Sequence, residues 1–115
     1  MNPGIYNIKA RQGATFRLAL NWKPGGVLAD LTGYTGRMQV RRTVDSAAAL
    51  LDLQSPASGL VLGGAGWNVV ATASALAMAA VKAGAAVYDL ELTAPDGTVL
   101  AVLAGRFDIA AEVTR

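Results

Sequence analysis

Residues 85–115 read AAVYDLELTAPDGTVLAVLAGRFDIAAEVTR, and the alternation inside this stretch decides the fold. Tyr88, Leu90 and Leu92 alternate with Asp89, Glu91 and Thr93, so one face of this segment is apolar and the other is wet, the period of a half-buried strand. Pro95-Asp96-Gly97 breaks the pattern with turn chemistry: proline presets φ, aspartate bonds its own backbone and glycine accepts a positive φ. Val99 to Leu103 run back, and Gly105 marks a second bend or bulge. Phe107, Ile109, Ala111 and Val113 then alternate with Arg106, Asp108, Ala110 and Glu112. The expectation is a three-stranded meander whose apolar face needs a second layer.

The upstream residues read as that layer. Ile5 to Arg11 forms a first strand, closed by Gln12-Gly13. In Thr15 to Trp22, Phe16, Leu18, Leu20 and Trp22 share one face. Lys23-Pro24-Gly25-Gly26 is a turn by composition. The Asp30 carboxylate is placed to accept from the backbone of Thr32 or Gly33 in an Asx-turn. In Tyr34 to Arg42, Tyr34, Met38 and Val40 face inward, and Gly36 leaves room for a large neighbour such as Trp22. Val44 to Ala49 is a connection, Leu50 to Leu53 a short strand, and Ser55-Pro56-Ala57-Ser58-Gly59 its stop. Leu60–Leu62 and Trp67–Thr72 form a hairpin around Gly63-Gly64-Ala65-Gly66. Ser74 to Ala83 changes period: Ser74 suits an N-cap, Lys82 the last turn and Gly84 the C′ position. Leu76, Ala79, Ala80 and Ala83 would be the buried stripe of that helix.

At 115 residues a single domain over 1–115 is expected, large enough for one core without staples. Charged residues make up 16% of the chain, against roughly 25% in an average soluble domain, which suggests a surface partly covered by other protein. The net charge of +2 is too small for the concentrated basic face that nucleic acid demands. There is no histidine and no cysteine, which removes the commonest general base, the commonest transition-metal ligand and all thiolate chemistry. The N-terminus lacks the apolar run of a secretory signal. Val69 to Val81 is shorter than the ~18–20 residues of a membrane span, so no membrane segment is expected. About eight short strands with turn signals every 8–12 residues predict an all-β, antiparallel β-sandwich with one short helix.

Three strings taken together carry a resemblance. They are Asp30-Leu31-Thr32-Gly33-Tyr34-Thr35 followed by Arg37-Met38-Gln39-Val40-Arg41; Tyr88-Asp89-Leu90-Glu91-Leu92 before a Pro-Asp-Gly turn; and Gly105 with the terminal Glu112-Val113-Thr114-Arg115. In this order, after Gly13-Ala14-Thr15 and a strand ending at Trp22, the chain resembles small tailed-bacteriophage and prophage structural proteins and the N-terminal domain of phage baseplate upper proteins. The resemblance covers nearly the whole chain, and its motifs are signatures of fold. It implies an immunoglobulin-like β-sandwich used as a virion adaptor or stabilising module near the tail, baseplate or fibres, made in the host cytoplasm, with other virion proteins as partners in symmetric copies.

The residues themselves point to contact chemistry. Asp89 and Glu91 lie about 6–7 Å apart on one strand face; with Asp108 they could be taken for a glycosidase pair, but an alternating polar face produces that spacing by default. Gly63-Gly64-Ala65-Gly66 lacks the Lys-Ser/Thr and the helix of a phosphate loop. Alternation with Leu18, Leu20 and Val69 places Trp22 and Trp67 in the core, and Met38 and Met78 read as core filler. Arg17, Arg37, Arg41 and Arg42 would share one sheet surface if strands 15–22 and 34–42 pair, and arginine makes bidentate contacts to carboxylate. The protein-contact candidates are therefore Arg17, Arg37, Arg41, Arg42, Asp89 and Glu91, acting with edge-strand pairing. No catalytic residue, metal, cofactor or small-molecule substrate is expected, and the chain does not read as an enzyme. The alternatives are a capsid-decoration or head–tail joining protein and, from another class, a carbohydrate-binding module aiding host attachment, which requires exposed aromatics.

Overall fold

A computed structural model describes residues 3–64 and 66–113. Thr114 and Arg115 of the terminal motif, and Ala65 of the glycine-rich turn, lie outside them. The strands are β1 (Gly4–Ile5), β2 (Ile8–Arg11), β3 (Phe16–Leu20), β4 (Thr35–Arg41), β5 (Leu51–Ser55), β6 (Leu60–Leu62), β7 (Val69–Ala73), β8 (Val87–Thr93) and β9 (Val99–Ala110), with helix α1 (Ala75–Ala79) between β7 and β8. They form two sheets. One runs β1-β9-β8-β4-β5, with β2 also on β9, and the other runs β3-β7-β6. This is the strand order of an immunoglobulin-like sandwich, here without the intersheet disulfide. Pairing is antiparallel except along β1 and β2, which lie parallel to β9.

The inward faces close on each other as the alternation requires. Met38, Val40, Val69, Leu90, Leu92 and Phe107 are fully buried. Phe107 joins the layers, meeting Phe16 of the small sheet edge-on at 5.2 Å and Tyr88 of the large sheet at 6.2 Å. Such aromatic pairs add about 0.5–1.5 kcal/mol beyond their burial.

The C-terminal stretch is a hairpin of two strands, not a meander of three. β8 and β9 pair from Val87↔Arg106 to Thr93↔Val99, but Leu90 faces Leu103 while Glu91 faces Ala101. Val102 is therefore an extra residue, a β-bulge, and it shifts the inward positions of β9 from even to odd. The phase change that reads as a bend near Gly105 is this bulge. Gly105 serves a close approach instead: a Cβ there would collide with the Tyr6 backbone carbonyl. That carbonyl turns inward to accept the Tyr88 hydroxyl at 2.6 Å, and the Asn7 side chain replaces it as acceptor for the Arg106 N–H at 3.0 Å. The exchange divides the expected first strand into β1 and β2.

Other local expectations hold or shift for physical reasons. Thr32 donates to Asp30 from both its backbone N–H (3.0 Å) and its hydroxyl (2.7 Å), completing the Asx-turn and lowering the Asp30 pKa. Ser74 accepts from the Ala77 N–H at 3.1 Å, as an N-cap should. The helix ends early, however, at an Ala80 C-cap, so Gly84 is not its C′ residue; Gly84 bridges to Ile109 instead. So short a helix at the end of the sandwich presents only Met78 to the core, followed by Val81, and Leu76 is 83% exposed. Gly36 makes room for Leu60 and Leu92 rather than for Trp22, which packs edge-on against Tyr34 at 6.5 Å.

Asn68 carries the only buried side-chain amide among the described residues, and no charged side chain among them is buried. Its Oδ1 accepts from the Trp22 N–H at 2.7 Å, and its Nδ2 donates to the carbonyls of Trp22 (3.1 Å) and Ala29 (3.2 Å). The Asn68 amide thereby fastens the long loop after β3 to the β6–β7 hairpin, and no buried side-chain polar atom among the described residues lacks a partner.

The contact between Tyr6 and Gly105 makes a testable demand. Gly105→Ala should cost about 1–3 kcal/mol by overpacking, and Tyr88→Phe about 1–2 kcal/mol by orphaning the Tyr6 carbonyl. Burial, and secondarily the neighbouring Tyr6, push the Tyr88 pKa up to about 12. The unfolded chain ionises near pH 10 while the native state resists. Stability is therefore whole below about pH 10 and falls as the pH rises toward 12. Alkaline denaturation followed by circular dichroism should show this fall in the parent and a shallower one in Tyr88→Phe.

Candidate protein-contact face

The outer face of the large sheet gathers most of the charged candidates. β4 supplies Arg37, Gln39 and Arg41, β5 supplies Asp52 and Gln54, and β8 supplies Asp89 and Glu91. Register sets them in rows across the strands: Gln54, Arg37, Glu91, and then Asp52, Gln39, Asp89.

The groups of β4 and β5 are already knitted together across these rows. Arg37 holds Asp52 as a fork, Nε to Oδ1 at 3.1 Å and Nη2 to Oδ2 at 2.7 Å. Gln39 and Gln54 each donate to the same carboxylate at 3.2 Å. Arg41 donates to Gln39 Oε1 and to the Ser46 carbonyl, both at 2.9 Å, and so ties the β4–β5 connection to the sheet. These bonds, with the Arg37 fork foremost, hold the Asp52 carboxyl down at about 2 and raise the Arg37 pKa. By contrast, Asp89 and Glu91 are exposed and form no ion pair among the described residues. Beside Asp89 the face dips into a groove of about 440 Å³, lined by Gln39, Arg41, Val44, Val87 and Ala104. Asp89 and Arg41 both line it; the Arg41 guanidinium is already engaged by Gln39 and Ser46, which leaves the Asp89 carboxylate for a cationic side chain whose stem lies on the valines and Ala104.

The remaining candidates lie elsewhere. β3 and β4 do not pair; they belong to different sheets, so Arg17 stands on the opposite outer face from Arg37 and Arg41. Arg42 acts within the chain: Nη1 donates to the Ala85 carbonyl at 3.0 Å and Nη2 to the Lys82 carbonyl, bracketing the segment between α1 and β8. Gly84 lies against this guanidinium and leaves it space. Asp108 is beside Arg106 at 3.7 Å, on the β9 row opposite Lys9.

Trp67 is not core. It is 46% exposed in the β6–β7 loop, because Asn68, not Trp67, turns inward ahead of Val69. Asn21 holds the loop beside it, donating to the Gly66 carbonyl at 3.0 Å. The signal for this is Asn68 itself, a polar residue that interrupts an apolar strand and needs partners wherever it is buried. No helix among the described residues is long and apolar enough to cross a membrane.

No protein-family model matches the chain, and no curated protein matches its sequence.

The Asp52 fork has a pH signature. Its folded pKa is depressed, so its contribution is present above about pH 4 and is lost as the pH falls toward 2. Its exposure limits that contribution to less than about 1 kcal/mol. Urea denaturation at pH 7 and at pH 2.5–3 should reveal the loss in the parent, and Asp52→Asn should flatten it.

Proposed function

We propose that this chain is a structural module of a tailed-phage virion, binding neighbouring proteins in symmetric copies at the tail, baseplate or fibre attachment region. The resemblance of its motifs supports the setting, and its immunoglobulin-like sandwich is the fold that resemblance implies. The observation that carries the contact role is the outer face of the large sheet. There a locked Arg37–Asp52–Gln39–Arg41 network pre-orders the surface, while Glu91 and Asp89, the latter at a groove floored by Val44, Val87 and Ala104, form no ion pair among the described residues. Ordered side chains lose less entropy on binding, and unpaired carboxylates favour a basic partner surface. The arginines of this face thus act as its frame and the carboxylates as its contacts. Quantitative mass spectrometry of purified particles should find the chain at a copy number commensurate with tail symmetry; a number on the order of hundreds would place it on the capsid lattice instead. Asp89→Lys with Glu91→Lys should leave folding intact and reduce its incorporation into particles. Normal incorporation of that variant would remove this face from the contact.

A carbohydrate-binding role has one observation in its favour, the exposed indole of Trp67 beside Asn21. Sugar rings stack on such a platform. If this reading holds, host-envelope polysaccharide cast into a native gel should retard the protein, and Trp67→Ala should abolish the retardation. Equal mobility with and without polysaccharide excludes it.

A further inference from the structure

Where the edges of the two sheets meet, β2 and β3 flank a cleft of about 450 Å³ with Lys9, Arg11 and Arg17 on its rim and no carboxylate in its lining. All three cations are exposed, and none forms an ion pair among the described residues. Both bounding strands are open on this side. β3 is the edge of its sheet and pairs only with β7.

The ladder shows which backbone groups are free. Thr72 donates to the Gly59 carbonyl at 2.7 Å, and Gly63 to the Asn68 carbonyl at 2.8 Å, so the even positions of β7 point toward β6. Its odd positions, Val69, Ala71 and Ala73, therefore bond β3 at Leu20, Leu18 and Phe16. The N–H and C=O groups of Arg17 and Ala19 consequently point away from β7 into the opening. On either side of β2, Tyr6 and Gln12 donate to β9, to the carbonyls of Ala104 and Ala110. By alternation Lys9 turns its backbone groups outward as well.

The other strand edges are less available. On β5, Gln54 exchanges both backbone bonds with Ser58, at 2.7 and 2.8 Å, which closes part of that edge, and β6 has only three residues.

We infer that the β3 edge accepts an extended acidic segment of a neighbouring protein as an added strand. Its main chain would bond Arg17 and Ala19. Acidic side chains at alternate positions would lie beside Arg17, and the apolar ones between would cover the half-buried Leu18 in the cleft. Charge selects the occupant. A second copy joined edge to edge would set two Arg17 side chains within a residue or two of each other on one face, and like charges so placed are destabilising. Lys9 and Arg11 on the far rim repel basic segments too. The inference deepens the assembly reading above and rests on it only for the source of the segment.

The probe is a capped seven-residue peptide alternating glutamate and valine, with a lysine–valine peptide as control. Amide exchange is followed residue by residue by NMR on the full chain. At about 1 mM glutamate peptide, exchange at Arg17 and Ala19 should slow about tenfold, and the effect should weaken in high salt. Arg17→Glu should abolish it. Ala19→Pro should abolish it as well, because it removes an outward N–H without touching the β7 ladder. Unchanged exchange at both amides, equal protection by the lysine peptide, or protection appearing on β5 instead would each overturn the inference. The particle measurement is separate: a chain absent from virions that still binds the peptide loses the virion reading but keeps the edge site, and the reverse result loses only the edge site.

Discussion

The sandwich depends on how its first residues reach its last strand. β9 has β8 on one side, joined through a tight Pro-Asp-Gly turn, and β1 and β2 on the other, joined through contacts such as Arg106 to Asn7 that lie 99 residues apart in sequence. The near side forms cheaply. The far side must overcome a large loop-closure entropy and has few residues with which to do it. The Tyr6 carbonyl meets this demand by leaving the ladder for the Tyr88 hydroxyl, with Asn7 replacing it and Gly105 giving it room. A buried donor is satisfied, a strand is pinned, and Phe107 and Ile109 are covered at their open side.

Local hydrogen bonding and strand alternation are legible in the residues themselves. Alternation located most of the strands, because a half-buried strand must alternate, and Asp30, Ser74 and Pro95-Asp96-Gly97 announced their turns and cap through local hydrogen bonding. What alternation cannot carry is anything decided by a distant partner. The bulge at Val102 and a bend at Gly105 leave the same trace, a change of phase beside a glycine, and only the pairing with β8 separates them. The arginines of β3 and β4 alternate alike, yet one strand enters each sheet. Leu76 and Met78 are equally apolar on a short helix, and the direction in which the chain crosses between sheets chooses Met78. Parity with Val69 points Trp67 into the core; the three hydrogen bonds of the Asn68 amide override that parity.

Charge is partitioned as consistently as hydrophobicity. Arg37, Arg41 and Arg42 are consumed inside the domain, in a carboxylate fork, a loop tie and a carbonyl bracket. Arginine suits these positions because its planar fork orders several acceptors at once. Of the exposed groups without ion pairs among the described residues, Asp89 and Glu91 share a sheet face, and Lys9, Arg11 and Arg17 gather around an edge. An open edge bearing cations is also a familiar defence against self-pairing, and that defence has a chemical sign. What repels a like edge leaves the backbone groups of Arg17 and Ala19 accessible to an opposite one. In the proposed assembly a carboxylate-bearing face for one neighbour and a cationic edge for another would be two non-equivalent contacts, the minimum that an adaptor requires.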